Sequence, residues 1–304
     1  MKRRRFLGNL FLTAGGVALS PKLVLGGSDK KIKKLTILHT NDMHSHIDPF
    51  ADNDPKYAGK GGIAKRAAMI EKIRQEGSDV LLFDCGDIFQ GTPYFNYYLG
   101  ELEIKLMNLM KYDAATIGNH DFDGGLDNLD AKVGMADFSF INCNYDCANS
   151  LLGNKVVPYK IFKRGGLKVG VLGVGIKLEG LVDKKLFGSV IYNDPIENAN
   201  RVAKILKEEK NCDVVVCLSH LGYEYKGNQV SDLMLASQSA DIDIILGGHT
   251  HTFLKEATIV DNKLGKKIII SQAGWAGLIL GRVDVSYNSE TLEVSAFSGM
   301  NEIS

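Results

Sequence analysis

KLTILHTNDMHSH, residues 34–46, joins two kinds of sequence at one point. Its first half, KLTILH (34–39), is a short, mostly aliphatic run of the kind that forms a strand covered on both faces. Its second half crowds Asn41, Asp42, His44 and His46 into six residues. A loop made only for turning needs Gly, Pro, Asn or Asp; it does not need histidine. The same junction recurs four times. DCGD follows VLLFD (80–84), GNHDFDGG (118–125) follows AATI (114–117), SHLG closes VVVCLSH (214–220), and GGHTH closes DIILGG (243–248). Five polar clusters therefore sit at the carboxyl ends of five strands, where open α/β sheets bind ligands.

The rest of the chain supports an α/β reading. Further strand-like runs are FSFIN (138–142), KVGVLGV (168–174), KIIIS (267–271) and LILGRVDVSY (278–287). Helix-length amphipathic patterns cover roughly residues 63–76, 95–110, 196–210 and 229–240. Gly77 suits a C-terminal stop for the first, and Asp194-Pro195 an N-terminal start for the third. No repeat or low-complexity tract follows residue 30. The expectation is one α/β domain with a mixed sheet system that becomes more purely β toward its end.

Bulk properties narrow the class. The 304 residues are 45% apolar and 24% charged, as in a soluble globular protein. Net charge is zero, but Lys2, Arg3, Arg4, Arg5 and Lys22 lie in the first 27 residues with no acid; without them 31 basic face 36 acidic residues, a net of −5. That balance argues against a nucleic-acid polymer or a membrane surface as partner, and no membrane span is expected. Residues 1–28 read as an export signal, with Arg3-Arg4-Arg5-Phe6-Leu7 resembling the twin-arginine pattern. Residues 29–304 would then be a periplasmic or extracellular domain. Of the five cysteines, Cys85 and Cys217 read as buried small hydrophobes, and an odd count leaves at least one thiol free. Whether Cys143 and Cys147 pair is left open.

The histidines carry the functional argument. All seven, His39, His44, His46, His120, His220, His249 and His251, lie in or beside the five clusters. Histidine with Asp and Asn makes a nitrogen and oxygen donor set that suits Zn²⁺, Mn²⁺ or Mg²⁺. Asp42-x-His44 and His249-x-His251 are i, i+2 pairs, which on extended backbone aim at one place. The candidate ligands are Asp42, His44, Asp87, Asn119, His220, His249 and His251. Seven are too many for one ion with an open position; they suit two ions about 3.5–4 Å apart, with Asp87 as the shared carboxylate. His39 falls on the opposite face of its strand and reads as a hydrogen-bonded core group. His46 and Asp121 receive no role, and Asp84 reads as a support for its loop. The aromatic stretch PYFNYYLG (93–100) is expected to pack its helix on the core rather than to stack a base.

The ordered set HTNDMH, FDCGDIFQGTPYF, GNHDFD, SHLG and GGHTH resembles the calcineurin-like metallophosphoesterases, and within them the N-terminal catalytic domain of the 5′-nucleotidase family, over residues 34 to 285. The resemblance implies a four-layer αββα sandwich with two mixed sheets. It implies that Asp42, His44 and His251 hold one metal, that Asn119, His220 and His249 hold the other, and that Asp87 bridges. His120 is implied as the catalytic histidine over the phosphate, oriented by Asp123, with Asn119 and His120 contacting substrate. The implied reaction is hydrolysis of nucleoside 5′-monophosphates by a hydroxide held on two divalent ions. Related sites also support phosphodiesterase action on 2′,3′-cyclic nucleotides or nucleotide sugars, and a metal-binding subunit is a further alternative. Family members carry a second, C-terminal domain for nucleotide recognition that has no counterpart in these residues; a separate chain supplying it is an expected partner.

Overall fold

The computed structural model describes residues 31–304 except Ser78. The export-signal reading of residues 1–28 lies outside the described residues. In chain order the first half runs β1 (Ile32–Thr40), α1 (Ile63–Gln75), β2 (Val80–Asp84), α2 (Pro93–Tyr98), α3 (Glu101–Leu109), β3 (Ala114–Ala115), α4 (Leu126–Met135), β4 (Ser139–Phe140), β5 (Tyr145–Asp146), β6 (Tyr159–Arg164) and β7 (Leu167–Gly175). It continues with α5 (Lys184–Phe187), β8 (Ile191–Tyr192), α6 (Pro195–Lys204), β9 (Val214–His220), α7 (Asp232–Gln238), β10 (Ile244–Gly247), β11 (Thr258–Asp261), β12 (Lys267–Gln272), β13 (Ile279–Asn288) and β14 (Glu293–Glu302).

Two six-stranded mixed sheets carry the fold, ordered β14-β13-β1-β2-β3-β4 and β11-β12-β10-β9-β7-β6; β5 and β8 form a separate ribbon. In the first sheet β1 to β4 are parallel, and β13 and β14 add antiparallel strands on one side. In the second, β7, β9, β10 and β12 are parallel, flanked by antiparallel β6 and β11.

Strand alternation builds the four layers. Leu35, Ile37, Leu81 and Phe83 of the first sheet meet Val169, Val171, Val214, Val216 and Ile244 of the second in a core between the sheets. Their neighbours Leu38, Val80 and Leu82 face the other way, onto Ile70 and Ile73 of α1, Ile104 and Met107 of α3, and Leu129 of α4. On the second sheet Leu172, Val215, Cys217 and Ile245 turn outward onto Ala199 and Val202 of α6 and Leu235 of α7. Each central strand is thus buried on both faces, which is why these runs are apolar throughout rather than alternating. The order is helix, sheet, sheet, helix, as expected.

The local signals hold where backbone chemistry is explicit. Gly77 follows the end of α1 at φ 81°, and Asp194 caps α6, its carboxylate accepting from the Glu197 amide at 2.8 Å. The expected helix at 95–110 is instead two, α2 and α3, because Leu99 and Gly100 take left-handed φ of 48° and 88°. Gly100 is obligatory there, since a Cβ would overlap the Phe89 ring. The pattern at 196–210 is α6 followed by a wider turn at Ile205–Glu209. All five cysteines are buried and free, Cys143 and Cys147 included. Among the described residues no helix is long and apolar enough to cross a membrane.

Phe83 is fully buried between the sheets, 5.8 Å from the Phe162 ring. Phe83→Ala should destabilise the fold by about 3–5 kcal/mol in urea unfolding, whereas Ile259→Ala on β11, 62% exposed, should change it by about 0.5 kcal/mol or less.

Candidate metal centre

The loops after β1, β2 and β3 meet the loops after β9 and β10, so each donor cluster draws on both sheets. Asp42, His44 and His251 form one, and Asp87, His220 and His249 the other; within each cluster the donor atoms lie within 4.8 Å of one another. The loops are laced at the backbone: the amides of Asp42 and His44 donate to the carbonyls of Gly86 and Asp87 at 2.9 and 3.0 Å, continuing the β1–β2 ladder past the strand ends.

The donors converge differently from the extended geometry expected of them. Asp42, His44, Asp87, His249 and His251 all have left-handed φ, between 47° and 74°. Non-glycine residues there cost roughly 1–3 kcal/mol each and gather at functional sites. Asp42 and His44 do share a cluster, but through two left-handed residues flanking Met43 rather than through the pleat of a strand. His249 and His251 do not aim at one place; they divide between the two clusters. The sharing follows the resemblance, and the i, i+2 argument for the second pair is overturned by the φ of both residues.

The distances fit cations. His44 Nε2 and His251 Nε2 face each other at 3.0 Å, and Asp42 Oδ1 lies 3.4 Å from His251 Nε2. Asp87 Oδ2 is 3.1 Å from His220 Nε2 and 3.9 Å from His44 Nε2, so one carboxylate oxygen faces both clusters. His220 Nε2, His249 Nδ1 and Asn119 Oδ1 are buried without a hydrogen-bond partner. Buried polar atoms are normally satisfied, and all three belong to candidate ligands. The second ring nitrogens are engaged: His220 Nδ1 donates to the Cys85 carbonyl at 2.7 Å and His44 Nδ1 to the Gln90 carbonyl at 3.1 Å. In the neutral imidazole that leaves each Nε2 lone pair turned to the cluster. The donor set is nitrogen and carboxylate oxygen with an amide oxygen beside it, which fits two divalent ions.

Electrostatics follow from this crowding. Burial pushes the Asp87 carboxyl up, but His220, then His44 and His120, hold it well below the usual carboxylate range. Burial drags on His220, yet Asp87 beside it lifts it to about 10. Burial and the neighbouring His220 push His249 down to about 4.

His120 sits on the wall of the adjoining pocket, a hollow of about 360 Å³ that Asn119, Asp87, His44, His249 and His251 also line. Its Nδ1 is 2.7 Å from Asp123 Oδ2. That hydrogen bond is the main reason its pKa is raised, with Asp87 adding to it against the pull of burial. The His120 amide donates to Asp87 Oδ1 at 2.8 Å, tying it to the shared carboxylate. A Cβ at Gly118 would overlap the same carboxylate, so glycine is needed for this close approach. His39 lies between the sheets with Nε2 3.0 Å from Ser271 Oγ. Asp84 supports its loop, accepting from Thr40 Oγ1 at 2.6 Å and from the Gly86 amide at 2.9 Å.

Sequence reasoning missed several supporting groups. Asp121, fully buried, accepts from the amides of Gly118, Ile88, Asp87 and Phe89 at 2.8 to 3.2 Å, clamping the loops of β2 and β3 together. Gln272 joins the Gly248 carbonyl and the Thr252 amide at the end of β10. Trp275 stacks on His251, centroids 5.7 Å apart and 5° from parallel. The one signal that could have marked the last is the rarity of tryptophan, one in the chain; nothing local marked Gln272.

Two facing mixed sheets carry paired nitrogen and carboxylate clusters at their common rim, a donor set suited to divalent ions. The chain belongs to the calcineurin-like phosphoesterase family, whose model matches residues 35–253. It is 31% identical over 288 residues to the Bacillus subtilis trifunctional nucleotide phosphoesterase YfkN, covering 84% of this chain and 18% of that one. It is 31% identical over 284 residues to the Naja atra snake venom 5′-nucleotidase, covering 86% and 52%. The structure superposes on the Thermus thermophilus 5′-nucleotidase precursor with a TM-score of 0.81 at 30% identity, covering 89% of this chain and 54% of that one. The chain thus spans about half or less of the length of these relatives.

Asp121→Ala leaves four buried amides without their acceptor, at about 1–3 kcal/mol for each that stays dry. Urea unfolding should show a loss of several kcal/mol, and Asp121→Asn, which keeps one acceptor oxygen, should lose less.

Proposed function

We propose that this chain is an exported phosphomonoesterase that holds two divalent ions and hydrolyses nucleoside 5′-monophosphates. The observation that carries the reading is the meeting, at one pocket, of donors from both clusters with His120, which Asp123 hydrogen-bonds. Asp42, His44 and His251 would hold one ion, Asn119, His220 and His249 the other, and Asp87 both. Bound there, the ions would supply a nucleophilic hydroxide at neutral pH and positive charge against the phosphoryl oxygens.

The remaining work falls to the chain. Asn119, whose amide oxygen is buried without a partner, would keep its Nδ2 donors for a phosphoryl oxygen. Asp123 occupies His120 Nδ1, which leaves Nε2–H of the cation to bind the phosphate and to protonate the departing ester oxygen. Export by residues 1–28 rests on the basic head and the Arg3-Arg4-Arg5-Phe6-Leu7 pattern. A separate chain carrying a recognition domain is the partner this reading allows for. Nothing in the pocket favours a diester over a monoester, so the phosphodiesterase alternative gains no ground.

The test is hydrolysis of AMP, UDP-glucose, a 2′,3′-cyclic nucleotide and an aryl phosphate by the mature chain with Mn²⁺ or Zn²⁺, read as free phosphate for the two monoesters and as nucleoside monophosphate for the other two. AMP and the aryl phosphate should be hydrolysed, chelation should abolish turnover, and either metal should restore it. His120→Ala should lower kcat about 10²–10⁴-fold while leaving metal content unchanged. Turnover of none of these esters by metal-loaded protein would sink the proposal.

Metal content gives an independent check. Wild type should hold about two ions per chain by elemental analysis. Asp87→Asn should hold about one or fewer, because both clusters lose the carboxylate that offsets the repulsion between cations. Full loading of Asp87→Asn would exclude a bridging role.

A further inference from the structure

The aromatic stretch at 93–100 does not pack as expected. Of its residues only Phe95 turns inward, stacking on Phe89 at 6.1 Å. Tyr97 and Tyr98 are 82% and 51% exposed, and Tyr94 and Tyr98 lie one helical turn apart with rings 6.5 Å apart and 20° from parallel. A six-residue helix that buries one aromatic and presents three is unusual for a surface with no further task.

These tyrosines form one wall of a cleft of about 510 Å³, whose other wall is the loop from His46 to Phe50. The volume is that of a small-molecule site. The two walls are joined by a hydrogen bond from Tyr94 Oη to Asp48 Oδ2 at 2.6 Å, and the His46 ring stacks on Phe50 at 5.0 Å. The cleft adjoins the metal pocket directly: His46 lines both, and Gly91 of the metal pocket precedes Thr92 of the cleft. Thr92 Oγ1 is anchored to the Ser45 carbonyl at 2.7 Å, which holds the two walls in register.

We propose that this cleft receives the leaving group of the substrate, and that the leaving group carries a planar aromatic ring, as a nucleoside does. This rests on the phosphoesterase reading, because a phosphate held at the metal pocket would bring its leaving alcohol to the adjoining cleft, which shares His46 with that pocket. The ring lies against Tyr94 and Tyr98, and Asp48 is placed to accept from an exocyclic amine. Base recognition then has a component in this domain itself. Stacking of a base on an aromatic side chain is sequence-tolerant, so the cleft selects for an aromatic ring over a bare sugar more than for one base over another.

Two measurements on the mature chain decide this. Calorimetry with adenosine and with ribose reads the cleft without catalysis. Adenosine should bind and ribose should not, and the double variant Tyr94→Ala/Tyr98→Ala should weaken adenosine about tenfold. Tyr94→Leu/Tyr98→Leu, which keeps apolar bulk, guards against a folding artefact and should also weaken it. Kinetics reads the same wall in turnover: the ratio of kcat/KM for AMP to that for ribose 5-phosphate should fall about tenfold in the double variant. Adenosine that fails to bind, or binds equally to the variants, overturns the cleft assignment, as does an unchanged ratio. Failure to hydrolyse ribose 5-phosphate, AMP and an aryl phosphate alike would instead count against the phosphoesterase reading, and the adenosine titration would still judge the cleft.

Discussion

The Asp87 carboxylate is the group on which both halves of the site close. It is almost wholly buried, and a buried anion must be paired to be tolerated. One oxygen takes the His120 amide, and the other faces His220 and His44 from different clusters. Its own loop cannot drift, because Asp121 grips the amides of residues 87, 88 and 89 from the side. The anion is thus held by the protein's own groups. What it faces is a set of crowded imidazoles, of which His220 Nε2 and His249 Nδ1 are buried without a hydrogen-bond partner. That arrangement is unfavourable when empty of positive charge and favourable when filled, which is the thermodynamic condition for tight metal binding.

Such an arrangement needs a rigid frame, and the two sheets supply one. Parallel strands end abruptly at the rim with their backbone groups still seeking partners. Loop amides and carbonyls satisfy them by extending the ladder for a few residues beyond each strand. The donor residues lie at a strand end or within four residues of one, so each is close to a strand whose faces are both packed. Left-handed backbone at five donor positions is sustainable because the neighbouring amides are tied down on every side. Placing strain beside stiff strands, rather than in long loops, keeps the donors within coordination distance of one another.

Much of this was legible in the sequence because the central strands are buried on both faces, which makes their runs uniformly apolar, and because histidine has no business in a simple turn. VLLFD and VVVCLSH were read to the residue. Elements on the periphery were not: β6, β11 and β14 are half-exposed edge or near-edge strands whose polar residues hide their character. The break between α2 and α3 depends on Phe89 filling the space beside Gly100, a tertiary fact that no local pattern contains. The candidate donors were singled out by type and position, but the partition of His249 and His251 between clusters was not derivable from spacing, since it turns on two backbone torsions. Asp121 received no role in the sequence, and only the fold shows that it serves backbone amides while Asp123 serves an imidazole, as the resemblance implied.

The five cysteines raise the question of why the site is built without thiolates. Thiolate is the form that binds metal, and burial withholds it here. Burial pushes Cys143 up to about 12 and Cys147 to about 11. Cys85 is the informative case, since it lies between Asp84 and Gly86 in one of the donor loops. Burial, reinforced by the adjacent Asp84, raises its thiol well above the ordinary value, so it stays neutral. Its contribution to the centre is instead the main-chain carbonyl that orients His220. A soft sulfur ligand would bias the centre toward Zn²⁺ and Cu⁺ and away from Mn²⁺ and Mg²⁺. By keeping its sulfur out of the donor set, the loop leaves a nitrogen and oxygen site whose occupant is set by geometry and supply rather than by softness.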